Sequence, residues 1–123
     1  MHEIIEPLIH KASVSGLCVQ IRKTGLSIGD VAELGLADDG RIAVYARIVK
    51  RGFLLRRPVR ALVGYLGHQA SQILTPALRR GAPLRVRVVS LTPEHLAPGG
   101  KAEMSVSVWG ARPMPFRVNA DPA

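Results

Sequence analysis

Ala61-Leu-Val-Gly-Tyr-Leu-Gly-His-Gln-Ala-Ser-Gln-Ile-Leu-Thr-Pro-Ala-Leu-Arg-Arg-Gly81 reads as a strand, a tight turn, a helix and a stop. Leu62, Val63, Tyr65 and Leu66 favour a buried strand around Gly64. Gly67 breaks it. Ala70, Ile73, Leu74 and Leu78 then recur near helical spacing and give the next segment one apolar face. Arg79, Arg80 and Gly81 suit a helix C-terminus, where cations and a left-handed glycine are favoured. Pro76 is at odds with one straight helix, because it removes a backbone donor and crowds the preceding turn. Either the helix kinks there, or Thr75 caps a second short turn with Pro76 at its first position.

Upstream of this stretch the chain alternates like strands. Ala12 to Arg22 reads as a first strand carrying Val14, Leu17, Val19 and Ile21, with Gly16 as a bulge where the alternation changes phase. Lys23 to Asp30 is a turn region in which Leu26 and Ile28 are expected to tuck under the sheet. Val31 to Leu36 is a second strand, and Asp39-Gly40 marks the hairpin turn after it. Arg41 to Val49 has the cleanest period of two: Ile42, Val44, Ala46 and Ile48 against Arg41, Ala43, Tyr45 and Arg47. Val59 to Leu66 is the fourth strand. Downstream, Leu84 to Leu91 turns Leu84, Val86 and Val88 inward and Arg85 and Arg87 outward. Ala102 to Trp109 sets Met104, Val106 and Val108 against Ser105, Ser107 and Trp109.

Six short strands with one helix after the fourth point to a mainly β fold (α+β by count), a small six-stranded barrel of the OB/SH3-like kind. Residues 1–12 read as an N-terminal arm, 13–110 as the barrel domain and 111–123 as a Pro-rich tail with Pro113, Pro115 and Pro122. In the arm, Ile4, Ile5, Leu8 and Ile9 beside Pro7 suit a half-turn of helix or a segment packed on the barrel. The 123 residues suffice for one domain, and with aromatics at 4% the core has to be aliphatic.

The formal net charge is +8, and its distribution says more than its total. No Asp or Glu lies between Gly40 and Pro93, a span that holds Arg41, Arg47, Lys50, Arg51, Arg56, Arg57, Arg60, Arg79, Arg80, Arg85 and Arg87. Such a surface attracts polyanions, of which nucleic acid is the commonest. The plain alternative is a solvated basic surface that serves solubility. Several enzyme classes lack their signatures. There is no phosphate-binding Gly-x-x-x-x-Gly-Lys-Ser/Thr loop and no nucleophile elbow around Ser13, Ser15, Ser27 or Ser71. His2, His10, His68 and His95 show no metal-ligand spacing. Adjacent Asp38 and Asp39 point to opposite strand faces and make poor co-ligands for a divalent ion. Cys18, the only cysteine, reads as a buried structural thiol between Leu17 and Val19, in keeping with a reducing cytoplasm. No secretory leader is evident, and no apolar run approaches the roughly 20 residues of a membrane span.

Leu26-Ser27-Ile28-Gly29-Asp30, Ile42-Ala43-Val44, Val63-Gly64-Tyr65-Leu66, Ala70, Leu74, Leu78 and Gly81 stand in an order that resembles the HIRAN domain over roughly Ser13 to Leu91. The resemblance is to a degenerate, stand-alone, bacterial-type member. It implies a small barrel that binds single-stranded DNA at a 3′ end; this chain is expected to bind DNA, single-stranded or end-containing, with no catalytic activity and no cofactor. The Asp38-Asp39-Gly40 turn is shorter than the family's Asn-Pro-Tyr-Asp-like turn, so contact with the nucleic-acid backbone carries over and recognition of a 3′ hydroxyl does not.

The expected function is therefore a non-catalytic nucleic-acid-binding module, DNA favoured, with no membrane partner. Its expected contacts are Arg22, Lys23, Tyr45, Arg47, Lys50, Arg51, Arg56, Arg57, Arg60, Tyr65 and His68. Arginine and lysine would hold phosphates, and Tyr45 or Tyr65 would stack a base. Tyr65 suits the core equally well. Trp109 suits the core or an interface better than a stacking role. The alternative is a protein-interaction or homo-oligomerisation module that docks through Phe53-Leu54-Leu55.

Overall fold

The structure, a computed structural model, describes residues 5–19, 21, 24–51 and 56–111. Among the described residues six strands and one α-helix follow one another: β1 (Ile5–Ser15), β2 (Val31–Leu36), β3 (Ile42–Arg51), β4 (Arg56–Leu66), α1 (His68–Arg79), β5 (Leu84–Thr92) and β6 (Glu103–Ala111). The strands close into an antiparallel barrel in the order β1-β4-β3-β2-β5-β6. The expected small mainly β barrel, with one helix after the fourth strand, is what the chain forms.

Its interior is aliphatic. Ile42, Val44, Val63, Leu74, Val86, Val88, Met104, Val106 and Val108 are each at most 2% exposed. No aromatic ring is buried among the described residues, which leaves both tyrosines and Trp109 outside the core. Helix α1 delivers Leu74 and Ala77 to this interior. It runs unbroken through Pro76, so neither the expected second turn nor a separate cap forms. The Thr75 hydroxyl donates to the Ser71 carbonyl at 2.6 Å, in the turn that Pro76 leaves short of a donor. Gly81, at φ 71°, closes the helix. Its N–H donates to Leu78 O and that of Ala82 to Ala77 O, the pairing of a Schellman stop.

Several local expectations need correction. The first strand begins at Ile5 and ends at Ser15, and it pairs with β6 from Ile5↔Ala111 to Ser13↔Ser105. Ile5, Leu8 and Ile9 around Pro7 are thus strand rather than a half-turn of helix, and Ile4 lies outside the described residues. Gly16 is a bend after the strand, at φ 61°, and not a bulge within it. That bend brings Cys18 to the surface, where its N–H donates to Val63 O, so the thiol is exposed. Leu26 is buried as expected, whereas Ile28 is 65% exposed because the chain turns outward at Gly29. Ser105 and Ser107 are buried although they alternate with the core residues. Strands flank both sides of β6, and Ser105 stands opposite both Ser13 and Ser90.

Candidate nucleic-acid interface

The outer face of β2, β3 and β4 gathers the aromatic and basic side chains. The turn Ala37–Gly40 starts the arrangement. Gly40 takes φ 87° and its N–H donates to Ala37 O, while the Ala37 N–H donates to Arg41 O. The five residues 37–41 between the strands set Glu33 opposite Tyr45 and Gly35 opposite Ala43. Alternation along β3 then sends Tyr45 and Arg47 outward while Ile42, Val44, Ala46 and Ile48 stay buried.

Strand β4 contributes through an irregularity. Val44 pairs with Gly64, but Tyr45 pairs with Leu62, so Val63 is an extra residue in β4. Without it, Tyr65 and Arg60, five positions apart, would face opposite sides. With it, Tyr65 stands opposite Ala43 and Arg60 opposite Arg47 on the same outer face. Gly64 beside the bulge permits the close passage of β1. A Cβ there would lie 2.6 Å from Ser15 O and 2.8 Å from Val14 Cγ1.

Two similar clusters result. The Arg41 guanidinium lies over the Tyr65 ring at 3.9 Å from its centre, and its Nε donates to Asp39 Oδ2 at 2.7 Å. The Arg60 guanidinium lies over the Tyr45 ring, also at 3.9 Å, and its Nε donates to Glu33 Oε1 at 3.3 Å. Gly35 leaves room for the Tyr45 ring, whose Cε2 would be 3.4 Å from an added Cβ. The Arg41 backbone N–H, followed by its guanidinium, holds the Asp39 carboxyl below the usual carboxylate value. Asp39 in turn raises the Arg41 guanidinium above its ordinary value. Both ion pairs are about half exposed, so each contributes little to stability. Arg47, opposite Arg60, has no ion pair among the described residues. With Asp30, Val31 and Glu33 it lines a shallow cleft of about 270 Å³.

The expected contact residues divide into three groups. Tyr45, Arg47, Arg60 and Tyr65 come together on this face. His68 opens α1, is exposed, and joins neither cluster. The backbones of Lys50, Arg51, Arg56 and Arg57 continue the same hairpin, with Lys50 opposite Arg57 and Arg51 opposite Arg56. Their side chains, together with Arg22, Lys23 and the tip Phe53-Leu54-Leu55, lie outside the described residues. The sequence reading missed Arg41, Asp39 and Glu33 as members of the face. Period two along β3 already put Arg41 with Tyr45, and the length of the 37–41 link could have given the Glu33↔Tyr45 pairing. The bulge at Val63 had no signal beyond the neighbouring glycine.

Elsewhere on the barrel, Trp109 is 37% exposed on β6 and stands opposite Arg85 and Pro7. Among the described residues no three His, Cys, Asp or Glu side chains gather where they could hold a metal ion. No helix among them is long and apolar enough to cross a membrane. No family model, curated protein or solved structure matches the chain.

Proposed function

We propose that this chain is a non-catalytic nucleic-acid-binding module, with DNA, single-stranded or end-containing, as its favoured ligand, and that it binds through the outer face of β2, β3 and β4. One observation carries the reading. Arg41, Arg47 and Arg60 share an outer sheet face with Tyr45 and Tyr65, and both rings lie outside the barrel beneath a guanidinium. Guanidinium groups neutralise phosphates, and their planes, like tyrosine rings, stack on bases. The net charge of +8 and the acid-free span from Arg41 to Thr92 favour a polyanion over a neutral partner. The resemblance to HIRAN domains favours DNA among polyanions. The backbone of the same hairpin continues to the Arg51↔Arg56 pair.

Fluorescence-anisotropy titration of labelled single-stranded DNA, duplex DNA and single-stranded RNA, each at two salt concentrations, tests the proposal. Binding is expected at low salt. It should weaken with a log–log salt slope of about −2 or steeper if three arginines each neutralise a phosphate of a single strand. Absence of binding to all three ligands at low salt would overturn the reading.

A further inference from the structure

The two arginine–tyrosine stacks share a feature that a simple phosphate-binding surface does not need. Each guanidinium places one face on a ring and its Nε on a carboxylate. The carboxylates come from different elements, Asp39 from the β2–β3 turn and Glu33 from the body of β2. The terminal nitrogens of Arg41 and Arg60 make no other hydrogen bond among the described residues. Of the three face arginines, only Arg47 lacks a carboxylate partner among those residues.

We propose that Asp39 and Glu33 are built-in competitors of phosphate on the two tyrosine-stacked arginines. The proposal rests on the reading of this face as a polyanion-binding surface. A phosphate that approaches Arg41 or Arg60 meets a guanidinium already paired with a negative charge. It must displace that carboxylate or bind beside it against like-charge repulsion. The exposed pairs are weak enough to yield to a polyanion and strong enough to lower its affinity. Ligands with several adjacent phosphates gain most from displacing both carboxylates, so isolated anions are discriminated against.

The test compares Glu33→Gln and Asp39→Asn with Glu103→Gln and Asp38→Asn. The controls remove the same charge from exposed residues that have no arginine partner among the described residues. Asn at position 39 retains an oxygen for the Arg41 N–H, and among the described residues the Glu33 carboxylate accepts from Arg60 Nε and from no backbone N–H, so at least one variant leaves the turn undisturbed. The salt concentration needed to elute each protein from heparin and the affinity for a labelled single-stranded oligonucleotide are measured. Each test variant should elute later than its control and bind the oligonucleotide about 2–5-fold more tightly than its control does. Elution with or before the controls would overturn the proposal, since the carboxylates would then be neutral to binding or would orient the arginines for it. If no variant binds the oligonucleotide but the heparin difference persists, the competitor role stands and the nucleic-acid reading falls. If neither the wild type nor the variants are retained on heparin, both fall.

Discussion

Gly64 carries more of the architecture than its size suggests. It is not a left-handed turn residue; its value lies in the absent side chain. The β1 backbone passes so close that a methyl group would meet the Ser15 carbonyl oxygen at 2.6 Å. That oxygen belongs to a strand pinned by the pairs Val14↔Leu66 and Ser15↔Tyr65, so it cannot move aside without opening the β1–β4 seam. Gly64→Ala should therefore destabilise the protein by about 1–3 kcal/mol, the usual cost of overpacking a well-filled site. Urea denaturation reads this directly, and an unchanged midpoint would show that β1 is free to shift. The sequence identified Gly64 as a special position inside a strand. It did not identify the strand that approaches it, because that partner lies about fifty residues upstream and close approach leaves no local pattern.

At the scale of elements, the strands that were legible are those whose two faces differ most. β3 sets Ile42, Val44, Ala46 and Ile48 against Tyr45 and Arg47, and a short turn ties β2 to it, so both strands were legible although their register was read only from the structure. β4 has nearly the right apolar pattern, yet its bulge at Val63 moves Arg60 to the face of Tyr65. Period-two reading cannot anticipate such a slip. β6 misled in another way: Ser105 and Ser107 look like outward residues, but small side chains between two neighbouring strands are shaded. Helix α1 was legible in the spacing of Ala70, Leu74 and Leu78 and in its Gly81 stop, whereas Ile73, expected on the same apolar face, is 55% exposed because that face is centred on Leu74 and Ala77. Pro76 suggested a break that does not occur. Packing of Leu74 and Ala77 evidently outweighs the missing donor, since the helix continues through it. Pro76 is exposed. Pro76→Ala should thus stabilise the protein by about 1–3 kcal/mol, an interior-helix proline costing roughly 3 kcal/mol relative to alanine, partly offset by a stiffer unfolded chain. A fall in the urea midpoint would mean that the proline shapes how α1 meets the barrel.

For the whole molecule, the barrel followed from strand count, helix position and an aliphatic composition, all of which are written locally in the chain. The site followed only in part. Charge distribution named the basic hairpin, but the pairing of each tyrosine with one arginine and one carboxylate depends on contacts among three strands. Closure also decides which arginines can act together. Arg41, Arg47 and Arg60 converge on one face, whereas Arg85 projects from β5 opposite Trp109 and Arg79 ends α1. The most direct measurement is therefore a comparison of oligonucleotide affinity between two variants that lose equal charge. One replaces Arg47 and Arg60 with Gln, the other replaces Arg79 and Arg85 with Gln. The first should lose at least about tenfold in affinity and about 1.4 units of single-strand salt slope, while the second should lose distinctly less of both. Equal losses in the two variants, or a greater loss in the second, would contradict binding through the β2–β3–β4 face.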